Sequence, residues 1–161
     1  RALAGLRGRA HLVVDTSELS PRGLKEALAR FLGEEGGFLL RLVSFGFKWG
    51  PPQEADLVLD VRPLPNPHYE DELRPLTGRD QAVKEYVESG TQAGEFYGRL
   101  MPLLQFLLPA YVAEGKQHLT IAVGCTGGRH RSITVADKIA GELEGRDDVK
   151  LRVVHRDVEL D

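Results

Sequence analysis

Residues 118–134 read HLTIAVGCTGGRHRSIT, and this stretch decides the fold class of the chain. The apolar run from His118 to Val123 predicts a buried strand, and the pattern from Thr134 to Glu144 predicts a helix. Three glycines lie between them, and glycine allows the backbone to turn sharply and to approach a ligand closely. The stretch therefore predicts a strand, a glycine-rich loop and a helix in direct succession.

Strand-like and helix-like segments alternate along the rest of the chain. Ser20 and Pro21 indicate a helix start, because serine is a good N-cap and proline suits the first helical position. We expect a helix break near Pro102. The alternation predicts an α/β fold, with a mainly parallel sheet flanked by helices in a single compact domain. Further strands are predicted at residues 11–15, 38–45, 56–61 and 149–155, and further helices from Ser20 to Gly33 or Gly36–Gly37, at 80–88 and at 92–114.

A long irregular segment, residues 62–79, separates the predicted sheet strands. Four prolines and Gly78 exclude a helix or a central strand there. Its aromatic and branched residues favour an ordered conformation, and an ordered segment of this length in a compact domain is usually functional.

The composition excludes several classes of protein. The 161 residues are 42% hydrophobic and 28% charged with a net charge of −3, which is typical of one globular domain and not of a protein that coats nucleic acid. The single cysteine excludes an internal disulfide and indicates a reducing compartment. The most apolar stretch, residues 100–113, is shorter than the ~18 residues of a membrane span, so we expect no membrane contact. Because the chain opens on Arg1 without an initiator Met, we expect it to be part of a longer protein.

The loop after the strand at His118 predicts an anion site. Backbone N–H groups at glycines and at a helix N-terminus attract phosphate. Arginine grips phosphate with two hydrogen bonds, and cations in a first helical turn oppose the helix dipole unless an anion is bound. No Walker A or G-x-G-x-x-G pattern occurs in the chain. The candidate residues are Cys125, Thr126, Gly127, Gly128, Arg129, His130, Arg131 and Ser132.

An alternative reading of this loop is a cysteine-dependent phosphatase. Cys125 and Arg131-Ser132 have the C-x5-R-[ST] spacing of that class, in which a thiolate attacks the phosphoryl group. Gly124 stands where those enzymes usually carry histidine. Asp60 and Asp71 are the candidates for a general acid, and neither is assignable from sequence.

A second group of polar residues follows the strand at residues 56–61. Asp60, Arg62, Asn66 and His68 are expected at the carboxyl end of that strand, in a loop stiffened by prolines. Such side chains hydrogen-bond sugar hydroxyls or an amine. The five histidines show no paired ligand spacing, so we expect no metal site.

Four motifs resemble the C-terminal domain of the RapZ/YvcJ family of bacterial nucleotide-binding proteins, one of which is an RNase adapter. The resemblance implies that residues 1–35 are the end of an N-terminal P-loop NTPase domain and its connection, and that residues 36–161 form the ligand-binding domain. The motifs are SFGFKWG at 44–50, DVRPLPNPH at 60–68, LRPLTG at 73–78 and GCTGGRHRS at 124–132.

The resemblance implies a cytoplasmic, self-associating regulator whose C-terminal domain binds glucosamine-6-phosphate. Residues 126–128, His130 and Arg131 would hold the phosphate, and Asp60, Arg62 and His68 would face the sugar. The ATP or GTP of the family, and its NTPase activity, would belong to the missing domain, so we expect no cofactor and no enzyme activity in this chain.

RNA is a partner of some members of the family, which end in a basic tail. Residues 146–161 here carry four Lys or Arg and five Asp or Glu. Acidic groups repel a phosphate backbone, so the sequence disfavours RNA binding.

Overall fold

The structure, a computed structural model, describes residues 14–21, 23–24, 27–28, 38–146 and 148–160. The chain divides into two units, residues 1–37 and 38–161. In the first unit, the side chain of Ser20 accepts a hydrogen bond from the Gly23 N–H at 3.1 Å, and helical residues follow from Pro21. The predicted N-cap is therefore confirmed. The predicted end of this helix, and most of the strand predicted at 11–15, lie outside the described residues; Val14 and Asp15 are not in a strand.

Within the described residues, the second unit contains one sheet of four parallel strands, in the order β2-β3-β1-β4. Seven of the eight residues of β3 are buried, as expected for a parallel sheet that is covered on both faces. The predicted parallel α/β sheet is thus confirmed. The strands are β1 (Phe38–Gly46), β2 (Leu57–Asp60), β3 (His118–Cys125) and β4 (Val149–His155).

In the part of the chain that the structure describes, three α-helices flank this sheet: α1 (Gln81–Val87), α2 (Gly90–Ala113) and α3 (Arg131–Leu143). The break predicted near Pro102 is wrong, because α2 continues through Pro102 and Pro109. Both prolines are exposed, while Leu100, Leu104 and Leu108 line the buried face of the helix. Packing of this apolar face stabilises the helix more than the prolines weaken it. None of the described helices is long and apolar enough to cross a membrane.

The register of the sheet brings the carboxyl ends of its strands together. Gly46 lies opposite Cys125, and Asp60 lies opposite Gly124. The loops that follow β1, β2 and β3 therefore leave the sheet at one edge. The irregular segment 62–79 lies among them and is ordered, with one 3-10 turn at Pro67–Tyr69. This edge is where ligands bind in open α/β sheets.

Candidate anion-binding site

A cleft of about 540 Å³ opens at the carboxyl edge of the sheet. This volume lies within the range of small-molecule sites. Four Lys or Arg side chains and two His line the cleft, and none of the described residues that line it is acidic. The lining residues are Lys48, Trp49, Asn66, His68, Tyr69, Arg74, Pro75, Cys125, Thr126, Gly127, Arg129, His130, Arg131 and Leu160.

The side chain of Arg131, the first residue of α3, is the most deeply buried cation of the cleft, since only 5% of the residue is exposed. One guanidinium nitrogen donates to the carbonyls of Arg62 at 2.6 Å and Leu64 at 3.3 Å, and the other lies 3.3 Å from Thr126 Oγ1. Its Nε has no hydrogen-bond partner, and no carboxylate of the described residues forms an ion pair with it. Burial lowers the pKa of Arg131, but an arginine stays protonated. The cleft thus contains a buried positive charge that pairs directly with none of the described carboxylates, although the charge of Asp60 stabilises it from farther away.

The loop after β3 is shaped by close backbone contacts. Gly128 has a φ of +85°, and a Cβ there would lie 2.7 Å from the Gly46 nitrogen. A Cβ on Gly127, in contrast, would meet nothing within 4 Å. The Lys48 N–H donates to the Thr126 carbonyl at 3.1 Å and so joins the loops after β1 and β3. At Gly128 the loop therefore packs closely against the backbone of β1, whereas at Gly127 it faces the open space of the cleft.

Cys125 lies in the floor of the cleft and is 3% exposed. Its Sγ accepts a hydrogen bond from the Gly128 N–H at 3.3 Å and lies 3.2 Å from the hydroxyl of Ser132. Ser132 is itself fully buried and does not line the cleft. Gly124 has no room for a side chain, because a Cβ there would lie 2.5 Å from the Phe45 ring.

The two candidate general acids lie outside the cleft lining. Asp60 forms a forked ion pair with Arg62, whose hydrogen bond lowers the pKa of Asp60, and the shortest N–O distance is 2.6 Å. Asp71 is paired with Arg74 at 2.8 Å, and its side chain is 91% exposed. The structure therefore brings no carboxyl group into the lining beside Cys125.

The residues predicted for the sugar side separate into two pairs. Asn66 and His68 line the cleft, and the Asn66 side chain accepts a hydrogen bond from the His68 N–H at 3.4 Å. Asp60 and Arg62 do not line it, because they pair with each other and the Arg62 guanidinium lies over the Phe47 ring. Arg62 still contributes through its carbonyl, which accepts from Arg131.

Several cationic and aromatic residues that line the cleft were not predicted as site residues from the sequence. The Lys48 ammonium lies 4.6 Å from the centre of the Trp49 ring, and both side chains are exposed. Arg74 reaches the cleft with its Nε bonded to the His68 carbonyl at 2.8 Å. Lys48 and Trp49 directly follow β1, so the rule that ligands bind at strand carboxyl ends could have found them. Tyr69, Pro75 and Leu160 complete this set.

His130 is buried at the start of α3, and its Nε2 has no hydrogen-bond partner. Burial lowers the pKa of His130 from its ordinary value of 6.5, while backbone groups of Arg74 and Leu76 act in the opposite direction. The imidazole is therefore neutral at neutral pH. In this state, His130 adds no positive charge to that of Lys48 and the three arginines of the lining.

This shift predicts a pH dependence of stability. Below about pH 6.5 the unfolded chain protonates His130 while the folded chain does not, so the unfolded state binds more protons. The free energy of unfolding should therefore fall as the pH is lowered from about 7 to the folded-state pKa. The change His130→Gln should flatten this slope. Urea unfolding of the wild type and of His130→Gln across this pH range measures the two slopes. Equal slopes would contradict the prediction that His130 causes the pH dependence.

Metal binding has no support in the described part of the chain, where no three His, Cys, Asp or Glu side chains come together to hold an ion.

The sequence was compared with protein-family models and with known proteins. Residues 38–159 match the family model of the RapZ C-terminal domain. The chain is 70% identical over 159 residues to a nucleotide-binding protein of Thermus thermophilus, covering 99% of this chain and 57% of that protein. Nucleotide-binding proteins of Moorella thermoacetica and Mycobacterium bovis are 48% and 46% identical, covering 98% of this chain and 53% of each relative. The chain therefore spans little more than half the length of these relatives.

Proposed function

The chain belongs to the family of the RapZ C-terminal domain, and from this premise we propose that its cleft binds a phosphorylated small molecule without converting it. The leading candidate is an amino-sugar phosphate such as glucosamine-6-phosphate. The observation that carries the proposal is the buried guanidinium of Arg131, which forms a direct ion pair with none of the described carboxylates.

An isolated buried charge is costly, and an anion beside it removes much of that cost. Arg131 is the first residue of α3, so an anion next to it also lies near the positive end of the helix dipole. None of the described residues that line the cleft carries a negative charge that would repel such a ligand. These three features favour a phosphate group at Thr126, Gly127 and Arg131.

The remainder of the cleft suits a small polar ring. Asn66, His68 and Tyr69 offer hydrogen-bonding groups to sugar hydroxyls, and Trp49 offers an apolar face. The amino group of the sugar finds no carboxylate among the lining residues. Aromatic faces attract cations, and the Lys48 ammonium already lies over the Trp49 ring, so Tyr69 is the partner that we assign to the amine.

A thermal-shift series tests this proposal. Glucosamine-6-phosphate at about 100 times its Kd should stabilise the chain by about 2.7 kcal/mol, which raises Tm by about 5 °C or more. Glucose-6-phosphate tests the amine, glucosamine tests the phosphate, and inorganic phosphate tests the anion subsite alone. Glucosamine should leave Tm unchanged. If no phosphorylated compound raises Tm, the proposal fails.

Phosphatase activity is the second candidate, favoured by the two hydrogen-bonding groups on Cys125 Sγ within the C-x5-R-S loop. It predicts slow hydrolysis of an aryl phosphate that disappears in Cys125→Ser. Equal rates for the wild type and this variant would eliminate it. The position of Asp60 and Asp71 outside the lining makes this the weaker proposal.

For the longer protein we propose the role that the resemblance implies. The chain would be the sensory and self-associating part of a cytoplasmic regulator that binds ATP or GTP elsewhere. RNA is the least favoured partner, because residues 146–161 carry five acidic side chains against four basic ones. A gel mobility assay with structured RNA at low salt tests it, and an unshifted band would remove RNA from the partners of this chain.

A further inference from the structure

Residues 46–50, which are the last residue of β1 and the loop that follows it, bring Lys48 and Trp49 to the lining of the cleft. This loop contains one 3-10 turn, Phe47–Trp49, between two glycines. Both functional side chains are exposed, so packing of these side chains does not fix the position of the loop. The Phe47 side chain of the loop packs against the Phe45 ring, with the ring centres 4.9 Å apart. The positions of Lys48 and Trp49 therefore depend on this packing and on contacts to the loop backbone.

Those backbone contacts come from an ion pair that follows β4. Asp157 is 1% exposed, and its carboxylate accepts a hydrogen bond from the Gly46 N–H at 2.8 Å. Arg156 donates to both carboxylate oxygens of Asp157 at 2.7 Å, and its Nη2 also donates to the Gly50 carbonyl at 2.7 Å. The two ends of the loop are therefore bonded to one ion pair.

The middle of the same loop is bonded to residues 126–130, the loop after β3, which we call the anion loop. The Lys48 N–H donates to the Thr126 carbonyl, and the Thr126 hydroxyl lies beside the Arg131 guanidinium. A displacement of residues 46–50 would thus disturb the wall that carries Trp49 and the loop that surrounds Arg131.

Stability alone is a weak reason for such an arrangement. A buried carboxylate loses its hydration, and an ion pair repays that cost only when its geometry is good and its remaining oxygens are bonded. Here the bonds go to the loop of the cleft rather than to the hydrophobic core.

We infer that Arg156 and Asp157 are positioning residues for the ligand cleft: they fix the loop of Lys48 and Trp49 against the anion loop. The inference rests on the proposed function. It goes beyond it by assigning ligand affinity to two residues that do not line the cleft.

The test uses the single tryptophan of the chain, Trp49, as a probe of the loop. Arg156→Ala removes the bonds to Gly50 and Asp157. Arg146→Ala is the matched control, because Arg146 makes a similar two-bond pair with Asp148, at 3.0 and 2.7 Å, away from the cleft lining. Arg156→Lys keeps the charge but not the fork, and it serves as the rescue variant if the alanine variant does not fold.

Two quantities are measured for each variant: quenching of Trp49 emission by acrylamide without ligand, and the Kd for inorganic phosphate and glucosamine-6-phosphate by calorimetry. Arg156→Ala should increase quenching and raise both Kd values about tenfold, a loss of about 1.4 kcal/mol. Arg156→Lys should fall between it and the wild type, and Arg146→Ala should match the wild type.

Unchanged quenching in a folded Arg156→Ala would overturn the inference, and so would increased quenching with unchanged Kd. Equal effects of Arg146→Ala would also overturn it, since they would reflect general destabilisation. If the wild type binds neither compound, the proposed function fails, together with the assignment of ligand affinity. The quenching comparison then still decides whether the ion pair fixes the loop.

Discussion

Arg131→Ala is expected to weaken binding of phosphorylated ligands at least about a hundredfold, because a charged, forked donor to phosphate is lost from a buried position. Arg131 is the cleft cation with the least solvent around it, so its interaction with an anion is the least screened by water. Calorimetric titration with glucosamine-6-phosphate measures the effect.

Two further variants separate the role of this side chain from its charge. Arg131→Lys keeps a positive charge but loses the fork, and should lie between the wild type and Arg131→Ala. Arg152→Ala removes the same charge from an exposed position on β4 and should leave the Kd unchanged. A folded Arg131→Ala that binds as well as the wild type would refute the assignment of the phosphate subsite.

Gly128→Ala is expected to lower the free energy of unfolding by about 3 kcal/mol, through a left-handed backbone and a close contact. Gly128 has a φ of +85°, and its Cβ would lie 2.7 Å from the Gly46 nitrogen and 3.0 Å from Asp157 Cβ. Neither neighbour is the flexible end of a side chain, so the contact is not easily relieved.

Gly127→Ala is the matched control for this substitution. A Cβ at this position would have no neighbouring atom within 4 Å, so the substitution should lower the free energy of unfolding by no more than about 0.5 kcal/mol. Urea unfolding of both variants provides the comparison. Similar losses for the two glycines would show that the close contact between the loops after β1 and β3 is not the cause.

Much of the fold was predictable because it depends on local patterns. The apolar run of β3, the glycines after it and the pattern of α3 predicted the central junction, and the parallel sheet followed from alternation. The sequence around Pro102 did not predict that α2 is continuous. Leu100, Leu104 and Leu108 stabilise the helix by packing in a hydrophobic core whose other residues are distant in sequence. Local propensity and tertiary packing act in opposite directions there, and packing decides.

The candidate site shows the same division. Thr126, Gly127 and Arg131 were found from one contiguous motif, and all three line the cleft. Asp60 and Arg62 were also predicted to bind the ligand. These two residues are only two positions apart, and they form an ion pair with each other instead of lining the cleft. Whether neighbouring opposite charges pair with each other or with a ligand depends on side-chain geometry, which the sequence does not specify.

The sequence separation of the cleft residues has a consequence for folding. The bond between Gly46 and Asp157 joins residues 111 positions apart, and the Arg156–Gly50 bond joins residues 106 apart. Contacts of such high sequence separation form slowly, because a long stretch of chain must be ordered before they are made. The anion loop also precedes Arg156 and Asp157 in the sequence, so the ribosome synthesises it before the ion pair that holds the loop of Lys48 and Trp49. Full ligand affinity would then be reached only when β4 has joined the sheet, and it would serve as a measure of the folding of this unit.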